Sequence, residues 1–385
     1  MDPAAARYPA VPQPRGHYES VYLQAADAAA RTAVWLRCTV HKRPGERPVG
    51  SVWATLFADD GPRAAKATLP PEALAPGARG GPAGGAATID RDGARGAIED
   101  LAEWELRFEP APAPSPPAAA PAPSPPAGAP APRAAAPAQG AAAAAPAPPA
   151  AAPAAAGDAG AAAAAPAAAG DAAPFPYLPR RWMYAAPLPR TKAVCLLPAI
   201  RVAGRVRVRD RTATVDGWPG MVGHNWGAEH AERWVWLRAA GFPDRPGTWL
   251  DAIVGRVRVG GRTTPWIANG CLALDGVRHR LGGPGLIRAT RVDARPDRCA
   301  VVLPGRGLTV RGVVDAPRAR TVGWRYRDPA GSERHVAHCG IADLTLEVAR
   351  PGAPPLRLAL AGGAAYELGM RERDHGVPLQ PYDDP

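Results

Sequence analysis

The chain has 385 residues with a formal net charge of +11, and 46% of its residues are hydrophobic, which is enough for a packed core. All but three of the 46 basic residues are Arg, and many alternate with apolar residues, as in Arg205-Val206-Arg207-Val208-Arg209. Alternation places Arg on one face of a strand and Val on the other, so a solvated strand face is favoured over a polyanion-binding face. We expect no specific nucleic-acid binding.

The cysteines and the chain start indicate the cellular compartment. The cysteines are odd in number and show no Cys-x-x-Cys spacing, so reduced, buried thiols are expected instead of a disulfide framework or a zinc site. The first residues lack an apolar signal-peptide core, and no run reaches the ~20 apolar residues of a membrane span. We predict a cytoplasmic protein without a transmembrane segment. Peripheral membrane contact and the oligomeric state stay open.

Short strands dominate the first hundred residues. Residues 1–15 are rich in Pro and Ala and are expected to form a disordered tail. From residue 16 onward, runs such as HYESVYLQA and TAVWLRCTVHKR are bounded by Gly, Pro and Asp. In the second run Val34, Leu36 and Cys38 share one face and Trp35 and Arg37 the other, which is the period-two pattern of antiparallel strands.

Residues 109–174 consist almost entirely of Ala and Pro. Such a segment has little apolar surface to bury, and Pro excludes a stable helix, so we predict a disordered, partly polyproline-II insertion. Residues 16–108 alone offer too few strands for an independent barrel. The insertion therefore interrupts the first domain instead of separating two complete ones.

The rest of the chain again reads as short strands, broken by Gly, Pro or Asp-Pro at intervals of roughly ten residues. Amphipathic helical stretches are scarce, and only residues 228–233 suggest a short helix or turn. This spacing predicts an all-β sandwich or barrel.

Chemistry concentrates in residues 217–242, GWPGMVGHNWGAEHAERWVWLRAAGF. This stretch holds four Trp, two His, one Asn and two Glu residues. Indole and imidazole nitrogens are costly to bury without partners, so the cluster indicates a partly polar pocket or a polar core network. No P-loop, dinucleotide turn, nucleophile elbow or Cys-x-x-Cys pair accompanies it, and no cofactor is expected.

The stretch Gly223-His224-Asn225-Trp226-Gly227, followed by Arg233-Trp234, resembles the lipocalin-like (calycin) superfamily of tocopherol cyclases, carotenoid 1,2-hydratases (hydroxyneurosporene synthases) and AttH-type proteins. The resemblance covers residues 16–108 and 174–375. It implies an all-β chain of two lipocalin-like antiparallel β-barrel domains, at 16–222 and 223–377, with the insertion 109–174 in the first and a short tail at 378–385. It also implies an apolar small-molecule ligand.

These expectations lead to two hypotheses about the function of the protein. One is the binding, and cyclisation or hydration, of a hydrophobic isoprenoid, polyene or lipid-like molecule in a barrel cavity by a lyase or isomerase of the cyclase or hydratase type. The other is a non-catalytic lipid carrier, or a scaffold that uses the insertion to hold a partner.

Each candidate residue has a functional and a structural reading. For catalysis we expect His224 as a proton donor or acceptor near neutral pH and Glu229 as an acid with a raised pKa; His224 and its neighbour Asn225 also fit a structural turn. The ligand-binding candidates are Asn225, Trp226, His230, Trp234 and Trp236, whose indoles suit either cavity walls or plain core. A metal held by His224, Glu229 and His230 lacks an evident fourth ligand, so no metal is expected. Arg180 and Arg181 are expected either to bind an anionic head group or to cap an exposed sheet edge.

Overall fold

The computed structural model describes residues 5–12, 14–74, 87–111 and 173–382, and most of the expected insertion lies outside these ranges. Strands predominate, because the period-two alternation read from the sequence continues through nearly every run. No helix in the described ranges is long and apolar enough to cross a membrane. The helices described are single 3₁₀ turns or little more, at Tyr8–Ala10, Pro71–Ala73, Arg181–Tyr184, Pro284–Ala289 and Arg318–Arg320.

The first sheet is antiparallel and curls into a half-barrel. Its strands run in the order β4-β3-β2-β1-β10-β9-β7-β6-β5, and the short β8 also pairs with β9. They are β1 (His17–Asp27), β2 (Thr32–Lys42), β3 (Val49–Phe57), β4 (Arg63–Leu69), β5 (Ala87–Ile89), β6 (Gly93–Ile98), β7 (Ala102–Pro110), β8 (Phe175–Pro176), β9 (Thr191–Val208) and β10 (Arg211–Gly227).

The second sheet closes into an eight-stranded antiparallel barrel, in the order β16-β15-β12-β11-β22-β21-β19-β18, and a pairing of Leu281 with Gly305 joins β16 to β18. Strands β17 and β20 extend it, and β13 (Arg258–Val259) and β14 (Arg262–Thr263) form a separate hairpin. Its strands are β11 (Arg233–Ala240), β12 (Trp249–Arg256), β15 (Ile267–Leu274), β16 (Val277–Gly282), β17 (Arg291–Arg295), β18 (Arg298–Gly305), β19 (Leu308–Asp315), β20 (Val322–Arg327), β21 (Glu333–Ala349) and β22 (Leu356–Met370).

The expected all-β architecture of antiparallel sheets is confirmed, with one sheet closed into a barrel and the other curled into a half-barrel. The cysteines are all free and buried, as predicted. The Arg/Val alternation also holds, because Val206 and Val208 are fully buried in the half-barrel while Arg205 and Arg209 are exposed.

Aliphatic side chains fill the concave side of the first sheet and the inside of the second barrel. In the first sheet Leu23, Leu36 and Val202 belong to one buried cluster. In the second barrel Val235 and Leu250 lie in another. The two sheets meet through the opposite faces of their strands, where Trp35 and Trp53 of the first sheet contact Trp324 of the second.

Strand β10 belongs to the first sheet throughout its length, because it pairs with β1 and β9 as far as Gly227. The boundary expected between residues 222 and 223 falls within this strand.

The tails also make contacts: the backbone N–H groups of Arg7 and Tyr8 donate to Glu19, and the backbone N–H of Gln380 donates to Gly323. The segment at 228–233 forms a bend instead of a helix.

Candidate functional site

A cavity of about 410 Å³ lies between the two sheets. The first sheet contributes Tyr18, Tyr22 and Arg37 to its walls, and the second contributes Tyr326 and Glu367. The expected cavity inside a barrel is therefore replaced by one between the outer faces of two sheets. Alternation along a strand separates its faces but does not tell which face points into the barrel. Here Val235 and Leu237 face the inside of the barrel, and Trp234 and Trp236 face outward.

Five of the predicted site residues line this cavity: Asn225, Glu229, His230, Trp234 and Trp236. His224 and Trp226 are not among the lining residues. Asn225 faces the cavity, so its two neighbours on β10 point to the other side of the sheet. There His224 Nε2 lies 2.8 Å from Oε1 of the buried Glu19, and the ring of Trp226 lies 4.7 Å from that of His224. His224 and Trp226 therefore lie outside the lining of this cavity, and their assignment to the site stays a prediction.

Two glycines make room for the aromatic walls. A Cβ on Gly223 would lie 2.3 Å from the Tyr22 ring. A Cβ on Gly369 would meet the Trp234 ring at the same distance, 2.3 Å. Such contacts are far shorter than van der Waals separation. Gly223, the residue before His224, therefore leaves space for the Tyr22 ring in the cavity wall.

Glu367 is the buried acid of the cavity. Its Oε1 accepts the Trp234 indole N–H at 2.8 Å, and its Oε2 accepts the Tyr326 hydroxyl at 3.2 Å. Burial raises its pKa, although these hydrogen bonds and the Arg37 charge oppose the rise. Two hydrogen bonds leave further lone-pair positions on a carboxyl group. Glu367 therefore keeps its proton to a higher pH than an ordinary Glu, and its carboxyl group stays able to contact a ligand.

His338 lies near Glu367 and favours the protonated form of its carboxyl group. It is fully buried, and Nδ1 lies 4.0 Å from Glu367 Oε2, which is too far for a direct hydrogen bond. Burial lowers the pKa of His338 to about 3, so its imidazole is neutral. A neutral neighbour offers no positive charge to stabilise a Glu367 carboxylate, which favours the protonated acid.

His230 faces the cavity and is oriented by a buried carboxylate. Asp328 Oδ1 accepts the backbone N–H of His230 and lies at the same distance, 2.7 Å, from its ring Nδ1. Burial alone would raise the pKa of Asp328, but the hydrogen bonds from His230 and Ser332 hold it at about 2. The ionised carboxylate requires Nδ1 to carry a proton, so Nε2 of the neutral ring is a proton acceptor.

The His230 ring is also fixed by stacking. It lies parallel to Tyr18 with ring centroids 4.0 Å apart, and its centroid is 5.7 Å from that of Trp234. Within the described ranges Nε2 has no hydrogen-bond partner, although it is buried. A buried acceptor without a partner is costly, and a bound ligand or water would satisfy it.

Glu229, expected as the catalytic acid, differs from Glu367 in environment. It lies at the more exposed rim, where Arg190 Nη1 donates to its Oε2 at 2.8 Å. Arg334 approaches its other oxygen at 4.0 Å. Glu229 is therefore an ion-paired carboxyl group at the rim, whereas Glu367 is buried within the cavity.

A second buried carboxyl, Asp251, lies behind the cavity wall. Its Oδ1 accepts the Trp236 indole N–H at 2.9 Å, and burial raises its pKa. Trp234 and Trp236, two residues apart on β11, are thus each held by an acid. Their ring faces are presented to the cavity in fixed positions.

Arg37 supplies positive charge to the cavity. It is buried, and its Nε and Nη2 both donate to Ser20 Oγ, at 3.0 and 2.8 Å. Its guanidinium carbon lies 4.1 Å from the centroid of the Tyr326 ring. The described residues include no group of three His, Cys, Asp or Glu side chains placed to hold a metal ion. Arg37, His230 and Glu367 thus bring a guanidinium, an imidazole and a carboxyl group to the walls of one cavity.

Comparison with known proteins gives partial likenesses. No family model matches the chain. Two uncharacterized proteins of Mycobacterium tuberculosis, from strains CDC 1551 / Oshkosh and ATCC 25618 / H37Rv, are 29% identical to it over 165 residues, which are 40% of this chain and 46% of each relative. The chain thus matches about half the length of these curated relatives.

Two solved structures are similar over most of the chain. One is described as a putative AttH from Nitrosomonas europaea, with 11% identity, a TM-score of 0.44 and coverage of 96% of both chains. The other is kievitone hydratase from Nectria haematococca, with 8% identity, a TM-score of 0.41 and coverage of 92% of this chain and 88% of that one.

Proposed function

We propose that the protein binds a hydrophobic, isoprenoid- or polyene-like molecule between its two sheets and transfers a proton to one of its double bonds. One observation carries this proposal. A buried acid with a raised pKa, Glu367, and a partnerless imidazole nitrogen, His230 Nε2, line one aromatic cavity. Aromatic faces suit both an apolar ligand and a developing carbocation. An acid and a base in the same cavity suit addition or elimination across a double bond.

Hydration and cyclisation of such a ligand share their first step. The Glu367 carboxylic acid gives its proton to one alkene carbon, the π electrons form the new C–H bond, and the other carbon becomes cationic. The faces of Trp234 and Trp236 lie where they stabilise that charge, by up to ~2 kcal/mol when water is excluded. Glu367 is left as a carboxylate, which the Trp234 and Tyr326 hydrogen bonds stabilise.

The second step decides the product. In hydration, a water oxygen bonds to the cation and His230 Nε2 accepts the proton that the water loses. In cyclisation, a second double bond attacks the cation to form a C–C bond, and an adjacent C–H proton then passes to Nε2 or returns to Glu367. After hydration Glu367 is a carboxylate and His230 an imidazolium; proton exchange with solvent restores both.

Arg37 suggests that the ligand also carries an acceptor group. With Glu367 protonated, this buried guanidinium has no ionised carboxylate bonded to it among the described residues. A carbonyl, hydroxyl or carboxylate oxygen on the ligand would compensate it. A polar end at Arg37 and an apolar body against the indoles would fix the direction in which the ligand enters.

A carrier is the second candidate. Both Glu367 oxygens already accept hydrogen bonds, which also suits an acid that only orients Trp234 and Tyr326. The two functions are separated by incubating the protein with a lipid extract of its native host in D₂O. An enzyme yields products with a new carbon-bound deuterium, whereas a carrier returns its ligand unlabelled. Finding neither labelled product nor retained ligand by mass spectrometry would contradict both.

The location of the ligand is tested by filling the cavity. Ala193 lines it from β9, so Ala193→Phe places a ring in the space a ligand needs. We expect ligand capture from the extract to fall about tenfold or more, since overpacking costs about 1–3 kcal/mol.

The matched control is Ala213→Phe, a half-buried alanine on β10 that is not a lining residue and contacts the core of the half-barrel. Its capture should stay unchanged in the protein that remains folded. Equal capture by Ala193→Phe and the parent would place the ligand elsewhere.

A further inference from the structure

Exposed apolar side chains concentrate at the rim of the cavity. Among the described residues, the large hydrophobic side chains that are exposed are Trp182 (67%), Leu188 (45%), Val259 (46%) and Val313 (41%). Leu188 and Val259 line the cavity, and Trp182 precedes Met183, another lining residue, in a 3₁₀ turn. Three of the four therefore belong to the two segments that frame the cavity, residues 178–190 and the β13–β14 hairpin.

Arginines stand beside these apolar side chains. Arg180 and Arg181 directly precede Trp182, while Arg258 and Arg262 belong to the hairpin that carries Val259, and all four are exposed. None of the four forms an ion pair with an acid within the described ranges. At the same rim, Arg190 is already paired with Glu229. The rim thus combines exposed apolar groups with four exposed arginines, of which Arg258 interacts with the charge of Glu232.

We infer that this rim docks on the surface of an anionic lipid bilayer and that the ligand enters the cavity directly from the membrane. An apolar ligand of the proposed kind resides in membranes and crosses water poorly. Exposed Trp and aliphatic side chains enter the head-group region, and each nearby Arg is attracted to anionic lipid. The part of the inference that concerns the ligand rests on the proposed function; the docking surface rests on the rim alone.

Vesicle co-sedimentation tests the docking surface. We expect the protein to pellet with vesicles of phosphatidylcholine mixed with phosphatidylglycerol, but not with phosphatidylcholine alone, and to be released by salt. Arg181→Gln and Arg258→Gln should each lower the partition coefficient about fivefold, the ratio that corresponds to ~1 kcal/mol per Arg. Trp182→Ser should lower it at least as much.

Matched controls lie away from the rim. Val313→Ser removes the fourth exposed apolar side chain, on β19, and Arg357→Gln removes an exposed Arg at the start of β22. Both should pellet like the parent protein. Equal binding to neutral and anionic vesicles, no binding to either, or equal losses in the control variants would overturn the inference.

The outcomes also separate docking from ligand binding. Vesicle binding by a protein that captures no ligand would support the docking surface and contradict the proposed function. Capture of ligand from a detergent-solubilised extract, without vesicle binding, supports the proposed function and removes the docking surface. Trp182→Ser should capture ligand from detergent solution normally and from vesicles slowly.

Discussion

We expect Glu367→Gln to lower the formation of the carbon-deuterated product by about 10²–10⁴-fold, the usual contribution of a positioned acid. Glutamine keeps the size of the side chain and an oxygen for the Trp234 indole N–H, but it has no acidic proton. Because the pKa of Glu367 is raised by burial, the parent should also lose activity as the pH rises through that pKa. The Gln variant should lack this alkaline loss. Both are measured by mass spectrometry of reactions in D₂O across a pH series.

The control is Glu347→Gln, which changes a partly exposed Glu that pairs with Arg311 on the neighbouring strand β19. It should leave product formation unchanged. The thermal stability of Glu367→Gln should stay close to that of the parent, because the buried hydrogen bonds are largely preserved. Undiminished deuterium incorporation by a folded Glu367→Gln protein would remove Glu367 as the proton donor.

We expect Glu19→Gln to lower the free energy of unfolding by about 3 kcal/mol, a typical loss when one partner of a buried charged network is removed. The Glu19 carboxylate accepts the backbone N–H groups of Arg7 and Tyr8, both at 2.8 Å, and lies 2.8 Å from His224 Nε2. A glutamine amide can present only one oxygen to these donors. Equilibrium unfolding in urea measures the loss, and the exposed Glu103→Gln is the control that should change little.

The same group gives stability a defined dependence on pH. Burial alone would raise the pKa of Glu19, but contacts with His17 and His224 and the Arg7 backbone hold it at about 2. A lowered folded pKa means that the stabilisation is complete above the unfolded value of about 4.3 and is lost as the pH falls towards 2. Glu19→Gln should flatten this acid limb of the stability curve. An unchanged limb would assign the acid sensitivity to other groups.

His224→Ala distinguishes the two readings that the sequence left open for this residue. Because His224 lies against Glu19 and outside the cavity lining, we expect a loss of about 1–3 kcal/mol in folding stability with ligand capture retained. Thermal melts and capture assays on one preparation decide between the readings. Loss of ligand capture without loss of folding stability would instead assign His224 to the ligand site.

Local sequence pattern predicted the strands and part of the site. Period-two alternation is set by backbone geometry, so the strand character and the shared face of Trp234 and Trp236 follow from sequence alone. Which face is enclosed depends on how the two sheets pack, and the sequence does not encode that locally. Predicting both His224 and Asn225 as site residues conflicted with alternation itself, because adjacent strand residues point to opposite faces.

The residues that sequence reasoning missed come from distant strands. Arg37 on β2, Tyr326 on β20 and Glu367 on β22 meet Trp234 only after folding. A weak signal was present, however: Glu367 is the only charged residue between Arg357 and Arg371. A lone acid in an apolar strand is costly to bury and so points to a special environment. The partnership of His230 with Asp328, 98 residues later, left no comparable signal.

The position of the cavity separates the residues that pack inside the barrel from those that line the cavity. Val235 and Leu237 contribute to the barrel core, whereas their neighbours Trp234 and Trp236 form cavity walls. Substitutions at the walls would change the shape of a space that neither sheet encloses alone, while the side chains on the inner face of the barrel would stay the same. Under the proposed function, evolution could therefore change the ligand through the contact between the two sheets while the inner core of the barrel is kept.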